Sequence, residues 1–245
     1  MTKPTFLCIG VCKGGTTSLI NYLNFHPEIY MHPTEIHFFD DAVVNDTTII
    51  NYEKNFITSK QIIGEKTPAY HYLQYSIEHI YNYYPDIKLI LLLREPISRA
   101  YSQYNMDKPN ELDFFLTNIL QEKDLKLNEL QKRGKHYIVR GFYDEQIEYI
   151  YSKFPKENIY IGISEELQNN KNYEYGKIYK FLRASEKIEI NVNEISDVHI
   201  RPYKRNIRID EAKVLYNIYK PHLEKLYSIL GRKIDIWEKY YETLK

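Results

Sequence analysis

The sequence predicts an α/β fold of three layers, in which helices flank a central, mainly parallel β-sheet. Residues 5–11 form a short, almost wholly apolar run that ends in a glycine loop and is followed by a helical pattern. Residues 87–93 form a second apolar run, again followed by a helical segment. Strand and helix patterns alternate along the chain, as they do where crossover helices join parallel strands. The length of 245 residues fits one domain over residues 1–245.

The first unit is a strand, a loop and a helix in residues 5–25. Residues 5–11 are apolar enough for a strand that is covered on both faces. Apolar residues then follow helical spacing from Thr16 until the step from His26 to Pro27, which ends the helix.

The later units follow the same alternation. Pro96 stands where the helix after residues 87–93 would begin, and Gly231 is the expected stop of the last helix. The predicted strands are residues 61–65, 87–93 and 158–163, and the predicted helices are residues 76–84, 112–130, 143–154, 173–182 and 210–230. Parallel sheets bind ligands outside the carboxyl ends of their strands, so we expect the site in the loops after residues 11, 65 and 93.

Composition restricts the partners and the compartment. The 33 Lys and Arg residues balance the 33 Asp and Glu residues, so no overall field attracts nucleic acid or an anionic membrane. Cys8 and Cys12 are the only cysteines, and their placement on a strand and its loop disfavours a disulfide. The apolar runs are too short to span a bilayer. We therefore expect a soluble, cytoplasmic protein without membrane insertion.

The loop after the first strand has the residue types of a phosphate-binding loop. Adjacent glycines let the backbone approach an anion, the helix N-terminus adds partial positive charge, and hydroxyl side chains follow. These residues are Gly14, Gly15, Thr16, Thr17 and Ser18. The loop departs from the pattern G-x-x-x-x-G-K-[ST], because Thr16 takes the lysine position and Lys13 precedes the glycines. This departure disfavours ATP with magnesium; a capped glycine turn without a ligand is the alternative.

Four sequence motifs, in order, resemble those of sulfotransferases that use 3′-phosphoadenosine 5′-phosphosulfate (PAPS). Residues 13–18, KGGTTS, are similar to the 5′-phosphosulfate loop of that family, especially of its heparan-sulfate type and the bacterial relatives. Residues 35–40 (EIHFFD), 65–70 (EKTPAY) and 94–102 (REPISRAYS) resemble the next three motifs. The resemblance spans about residues 6–237 and implies a P-loop-like fold.

The resemblance also implies the catalytic groups. Lys13 would contact the 5′-phosphosulfate and stabilise the leaving phosphate, with the loop amides. Glu35 would be the general base that removes the proton of an acceptor hydroxyl, and His37 is its local competitor. Lys66 would be a second cation near the transferring group or the acceptor; the alternative is a salt bridge to Glu65.

Further residues are expected to bind the two substrates. His37, Lys66 and Tyr70 are the expected acceptor contacts. For the donor, the resemblance implies that Arg94 and Ser102 bind the 3′-phosphate, where a guanidinium can grip two oxygens; an ion pair of Arg94 with a neighbouring carboxylate is the alternative. Lys204 or Arg205, in a basic loop that starts at residue 201, is the expected additional cofactor contact.

Together these features predict a sulfotransferase that moves the sulfuryl group of PAPS to a hydroxyl of a carbohydrate or secondary metabolite, without metal. The product of the donor would be 3′-phosphoadenosine 5′-phosphate (PAP), and the partner a small-molecule or oligosaccharide acceptor, not nucleic acid. The alternatives are a P-loop small-molecule kinase and a catalytically silent nucleotide-binding protein. Residues 41–60 and 107–130 are expected to shape the acceptor pocket, whose ligand no motif identifies.

Overall fold

A computed structural model of the chain describes residues 2–40, 43–123, 125–126, 134, 136–185 and 203–245. Its centre is a five-stranded sheet in which every pair of neighbouring strands is parallel, in the order β2-β3-β1-β4-β5. The strands are β1 (Phe6–Gly10), β2 (Ile29–Met31), β3 (Ile62–Lys66), β4 (Lys88–Leu93) and β5 (Ile159–Ile163). The prediction of a mainly parallel sheet flanked by helices is confirmed.

Ten α-helices of the described residues surround this sheet. They are α1 (Thr16–Phe25), α2 (Asp46–Glu53), α3 (Gln74–Tyr83), α4 (Pro96–Asp107), α5 (Phe115–Ile119), α6 (Tyr143–Lys153), α7 (Ser164–Asn169), α8 (Lys171–Leu182), α9 (Ile209–Leu230) and α10 (Asp235–Glu242). Among the described residues, none of the helices combines the length and the apolar character that crossing a membrane requires.

The two faces of the sheet bury separate apolar clusters. Because side chains alternate along a strand, Phe6 and Cys8 of β1 face a cluster that includes α1 and α8, whereas Leu7 and Ile9 face the opposite cluster. That second cluster is larger and takes apolar residues from α3, α4, α6, α9 and α10. Covering both faces explains why β1 and β4 are continuous apolar runs.

Most predicted elements are confirmed within two residues of their ends, including the stop of α9 at Gly231, whose φ of 67° is left-handed. The prediction of one helix over residues 112–130 is wrong in its described part. That part consists of the five-residue α5, with one 3-10 turn before it and one after it. In the second of these turns, the buried Glu122 carboxylate accepts the backbone N–H groups of Tyr137 and Ile138, at 2.5 and 2.8 Å.

Several elements were not predicted. β2 is a three-residue edge strand, and α2 lies within residues 41–60, which the sequence predicts to help shape the acceptor pocket. The side chain of Asn45 caps α2 by accepting the N–H groups of Thr47 and Thr48, both at 3.0 Å. Also unpredicted are α7 and α10.

Strand register brings the predicted loops to one edge. β1 lies between β3 and β4, with Cys8 opposite both Lys66 of β3 and Ile90 of β4. The carboxyl ends of these three strands therefore adjoin, and each is followed by one of the loops in which the site is expected.

Candidate active site

The loop after β1 turns sharply before it enters α1. The N–H of Gly14 donates to the carbonyl of Val11 at 2.9 Å, and the N–H of Val11 donates to Leu92 of β4 at 3.0 Å. Lys13 and Gly15 both have left-handed φ angles, of 68° and 80°. Glycine adopts this conformation freely, whereas for lysine it is uncommon. Gly15 is also the N-cap of α1, so it brings no side chain to the helix terminus where an anion would bind.

Arg94 ties this loop to the end of β4. Its Nη1 donates to the carbonyl oxygen of Lys13 at 2.9 Å. The Lys13 ammonium itself lies 3.7 Å from the sulfur of Met106, on α4. Arg94 and Lys13, predicted to bind opposite ends of the donor, are thus joined by a hydrogen bond from the Arg94 side chain to the Lys13 backbone.

Ser102 is also on α4, two turns from its start, and is buried. The alternative partner proposed for Arg94, a neighbouring carboxylate, is not the contact observed, since Glu95 instead accepts the backbone N–H groups of Ile97 and Ser98. The positions of Arg94 and Ser102 are compatible with binding of the 3′-phosphate, and this role stays a prediction.

Lys66 and Glu35 form a close ion pair across two segments of the chain. Lys66 ends β3, Glu35 lies in the connection after β2, and the Nζ to Oε1 distance is 2.5 Å. The Lys66 side chain is 6% exposed and that of Glu35 is 37% exposed. Glu65 is not the partner of Lys66, because its Oε2 accepts the Thr67 hydroxyl at 2.9 Å. Burial raises the pKa of Glu65 to about 7 despite hydrogen bonds from Thr67 and Tyr70.

His37 connects Glu35 to a buried carboxylate. Its Nε2 lies 3.2 Å from Glu35 Oε2, and its Nδ1 lies 2.8 Å from Oδ2 of Asp40. The φ of His37 is 56°, a left-handed value that turns the ring between the two carboxylates. Asp40 was not singled out from the sequence, although its position three residues after His37 was a usable signal. His37 as an acceptor contact stays a prediction.

The environment of Glu35 keeps its carboxylate ionised. Burial raises the pKa of this group, but the hydrogen bonds from His37 and Lys66 and the Lys66 charge outweigh that effect and lower the pKa from 4.5 to about 2. Because the folded-state pKa lies below the ordinary value, the pairing contributes stability above pH 4.5 that is lost as the pH falls towards 2.

Lys66→Ala is expected to raise the pKa of Glu35, because the variant removes a hydrogen bond and a positive charge and leaves the effect of burial in place. Titration of the labelled Glu35 carboxyl carbon by NMR measures the shift. Lys60→Ala is the matched control, since Lys60 donates to the carbonyls of His26 and Ile29 instead. A Glu35 pKa that is unchanged in Lys66→Ala would contradict the pairing.

The prediction that Tyr70 contacts the acceptor is wrong. Its ring has no exposed surface, and its hydroxyl accepts the N–H groups of Phe38 and Phe39 at 3.0 and 3.4 Å. Tyr70 opens a 3-10 turn after Pro68, and this turn directs the ring inward. The residue instead supports the segment that carries Glu35 and His37.

The described part of the basic loop, from residue 203, packs on α4 and α9; residues 201–202 lie outside the described residues. Arg205 pairs with Glu211 at 2.7 Å and donates to the carbonyl of Leu112. The Arg205 charge is therefore paired within the protein, which argues against the predicted contact of Arg205 with the donor. Lys204 donates to the side chain of Asn110 and remains a predicted donor contact.

A cleft adjoins the start of α1. It lies between α1 and the α7–α8 segment, and its lining residues are Gly15, Ser18, Tyr22, Leu92, Ser164, Leu167, Gln168, Lys171 and Tyr175. Gly15 and Ser18 also belong to the predicted phosphate loop, so this cleft adjoins that loop.

The parallel sheet and the glycine loop after its central strand define a P-loop-like α/β protein with an anion site. The candidate side chains Lys66 and Glu35 lie at the same sheet edge as that loop. The family model described as "Sulfotransferase domain" matches residues 3–206, and the chain belongs to this family. The protein is therefore a sulfotransferase.

The relatives agree with this assignment, and a solved structure shares the fold. Heparan sulfate glucosamine 3-O-sulfotransferase 5 of Mus musculus is 28% identical over 258 residues, covering 95% of this chain and 73% of the relative. Heparan sulfate glucosamine 3-O-sulfotransferase 6 of Homo sapiens is 36% identical over 101 residues, covering 41% of this chain and 30% of the relative. The crystal structure of a sulfotransferase from Alicyclobacillus acidocaldarius has the same fold, with a TM-score of 0.79, 20% identity and coverage of 97% of this chain and 100% of that one.

Proposed function

We propose that the protein transfers the sulfuryl group of PAPS to a hydroxyl of a carbohydrate or secondary-metabolite acceptor, with Glu35 as the general base. The observation that carries this proposal is the Lys66–Glu35 pair of 2.5 Å, at the same sheet edge as the glycine loop. This pair supports the proposal, because it brings a cation and a carboxylate to the edge of the sheet at which the glycine loop begins. The names of the relatives, which are heparan sulfate glucosamine 3-O-sulfotransferases, support a carbohydrate acceptor.

In the proposed reaction, Glu35 accepts the proton of the acceptor hydroxyl while the hydroxyl oxygen forms a bond to sulfur. The bond from sulfur to the 5′-phosphate oxygen breaks, and its electron pair stays on that oxygen of PAP. Lys13 and the loop amides stabilise the negative charge that develops there. Positioning and electrostatics supply the catalysis, by analogy with phosphoryl transfer.

The low pKa of Glu35 requires one further step. A carboxylate with a pKa of about 2 is a weak base. We expect the sulfuryl group of the donor to draw the Lys66 ammonium away from Glu35, which removes the hydrogen bond and raises the basicity of the carboxylate when the donor is present. His37 and Asp40 then hold Glu35 in position.

The nucleotide that the protein binds most tightly distinguishes this function from that of a P-loop kinase. Calorimetry is expected to show that PAP binds without added metal and more tightly than ATP with magnesium. The control is ATP with a chelator. Tighter binding of ATP, lost on chelation, would contradict the proposal.

Transfer of labelled sulfate from PAPS to a panel of saccharides and small hydroxyl compounds then identifies the acceptor. A cytoplasmic location stays a prediction.

A further inference from the structure

Two carboxylates, the buried Glu95 and the half-buried Glu165, contact the backbone next to the proposed 3′-phosphate site. The Glu95 side chain, in a residue that is 4% exposed, caps α4 by accepting the N–H groups of Ile97 at 3.0 Å and Ser98 at 2.7 Å. The backbone N–H of Glu95 donates to Oε1 of Glu165 at 2.9 Å. Glu95 therefore sets where α4 begins, and α4 carries Ser102.

The peptide group that joins Arg94 to Glu95 is held at both ends. Its carbonyl oxygen, which belongs to Arg94, accepts the Tyr143 hydroxyl at 2.8 Å. Its N–H is the one that donates to Glu165. The orientation of this peptide group fixes the backbone from which the Arg94 side chain departs.

The last helix holds both carboxylates. The Tyr241 hydroxyl donates to Oε1 of Glu95 at 2.9 Å, and the Trp237 indole N–H donates to Oε2 of Glu165 at 3.0 Å. Tyr241 and Trp237 are each 1% exposed. They lie one turn apart on α10, outside the residues 3–206 that match the family model.

We propose that α10 positions the 3′-phosphate site, with Tyr241 acting on α4 through Glu95 and Trp237 acting on the Arg94 peptide group through Glu165. This inference rests on the proposed function, because it assumes that Arg94 and Ser102 bind the 3′-phosphate. Neither aromatic residue contacts the donor; both are positioning residues. Loss of the Tyr241 hydroxyl leaves the buried Glu95 carboxylate one donor short, at a cost in free energy. A shift of the carboxylate that relieves this cost would move the cap of α4.

The test compares PAP with adenosine 5′-phosphate, which lacks the 3′-phosphate. Tyr241→Phe keeps the ring and removes only the hydroxyl. We expect this variant to bind PAP about fivefold more weakly than the wild type does, and to bind adenosine 5′-phosphate within about twofold of it. A role of Tyr241 in general stability alone would weaken both ligands alike.

Tyr149→Phe is the matched control, because the Tyr149 hydroxyl likewise donates to a carboxylate, Glu78, at 2.6 Å, but this bond joins α6 to α3 and does not involve α10. It is expected to leave both affinities unchanged. If Tyr241→Phe does not fold, Trp237→Phe tests the same arrangement through Glu165. Calorimetry measures the affinities, and thermal unfolding reports folding.

The outcomes separate the two claims. If the wild type prefers PAP and either folded variant keeps the wild-type ratio of affinities, the inference about α10 is overturned and the proposed function stands. If the wild type itself shows no preference for PAP over adenosine 5′-phosphate, the 3′-phosphate assignment fails and the inference fails with it.

Discussion

Glu35→Gln is expected to lower kcat by a factor of about 10² to 10⁴, the usual contribution of a positioned general base. Glutamine preserves the size of the side chain and can still accept a hydrogen bond from Lys66. It cannot accept the proton of a hydroxyl, which does not ionise near neutral pH. The measurement is steady-state formation of PAP from PAPS at a saturating acceptor concentration.

The control for this variant is Glu78→Gln. Glu78 is a carboxylate on α3 that accepts the Tyr149 hydroxyl at 2.6 Å and lies 3.5 Å from Lys153. The change removes a paired charge away from the three loops, so kcat should not change. PAP affinity should be retained in Glu35→Gln, because Glu35 lies outside the glycine loop. Wild-type turnover by Glu35→Gln would show that another group is the base, with His37 the first candidate.

Gly14→Ala is expected to disrupt the glycine loop. A Cβ atom on Gly14 would lie 2.6 Å from the carbonyl oxygen of Leu92 and 2.8 Å from a methyl carbon of Val11. The Leu92 oxygen cannot withdraw, because β4 is paired on both sides and this oxygen accepts the N–H of Val11. The loop must therefore move away from β4. Overpacking of this kind costs about 1–3 kcal/mol.

The loop displacement should also lower kcat/KM for PAPS by about 10²-fold, since a shift of about 1 Å in a positioning group has that effect. Gly176→Ala is the control. Nothing lies within 4 Å of a Cβ at Gly176, inside α8, so alanine there should stabilise the protein by about 0.5–1 kcal/mol. Urea unfolding and donor kinetics measure both effects. Unchanged kinetics in Gly14→Ala would contradict the close packing of the loop on β4.

The sequence predicts the sheet and the anion loop because their signals are local. A run of apolar residues, a pair of glycines and helical spacing in residues 5–25 need no knowledge of distant contacts. The same holds for β4 and for the stop at Gly231. The missed strand β2 has only three residues, which gives too short a pattern to recognise. The missed helix α10 did carry a signal, because Trp237 and Tyr241 lie at helical spacing.

The sequence identified the candidate residues but not the contacts between them. Lys66 and Glu35 were each identified from motifs, yet their pairing depends on the connection after β2 folding back over β3. Tyr70 shows the opposite failure, because a motif position does not reveal whether a side chain faces solvent or the core. Arg205 was assigned because it lies in a basic loop expected to close over the donor, and its partner Glu211 lies on a helix that packs beside it.

The hydrogen bond from Arg94 to the Lys13 carbonyl has a consequence for how the donor binds. It links the two proposed phosphate sites directly. A nucleotide that carries both phosphates would then bind both sites at once, as a bidentate ligand. Once one phosphate is bound, the second is held at a high effective concentration near its own site. PAP should therefore bind more tightly than adenosine 5′-phosphate or free phosphate alone, and a mixture of the two should not reproduce its affinity.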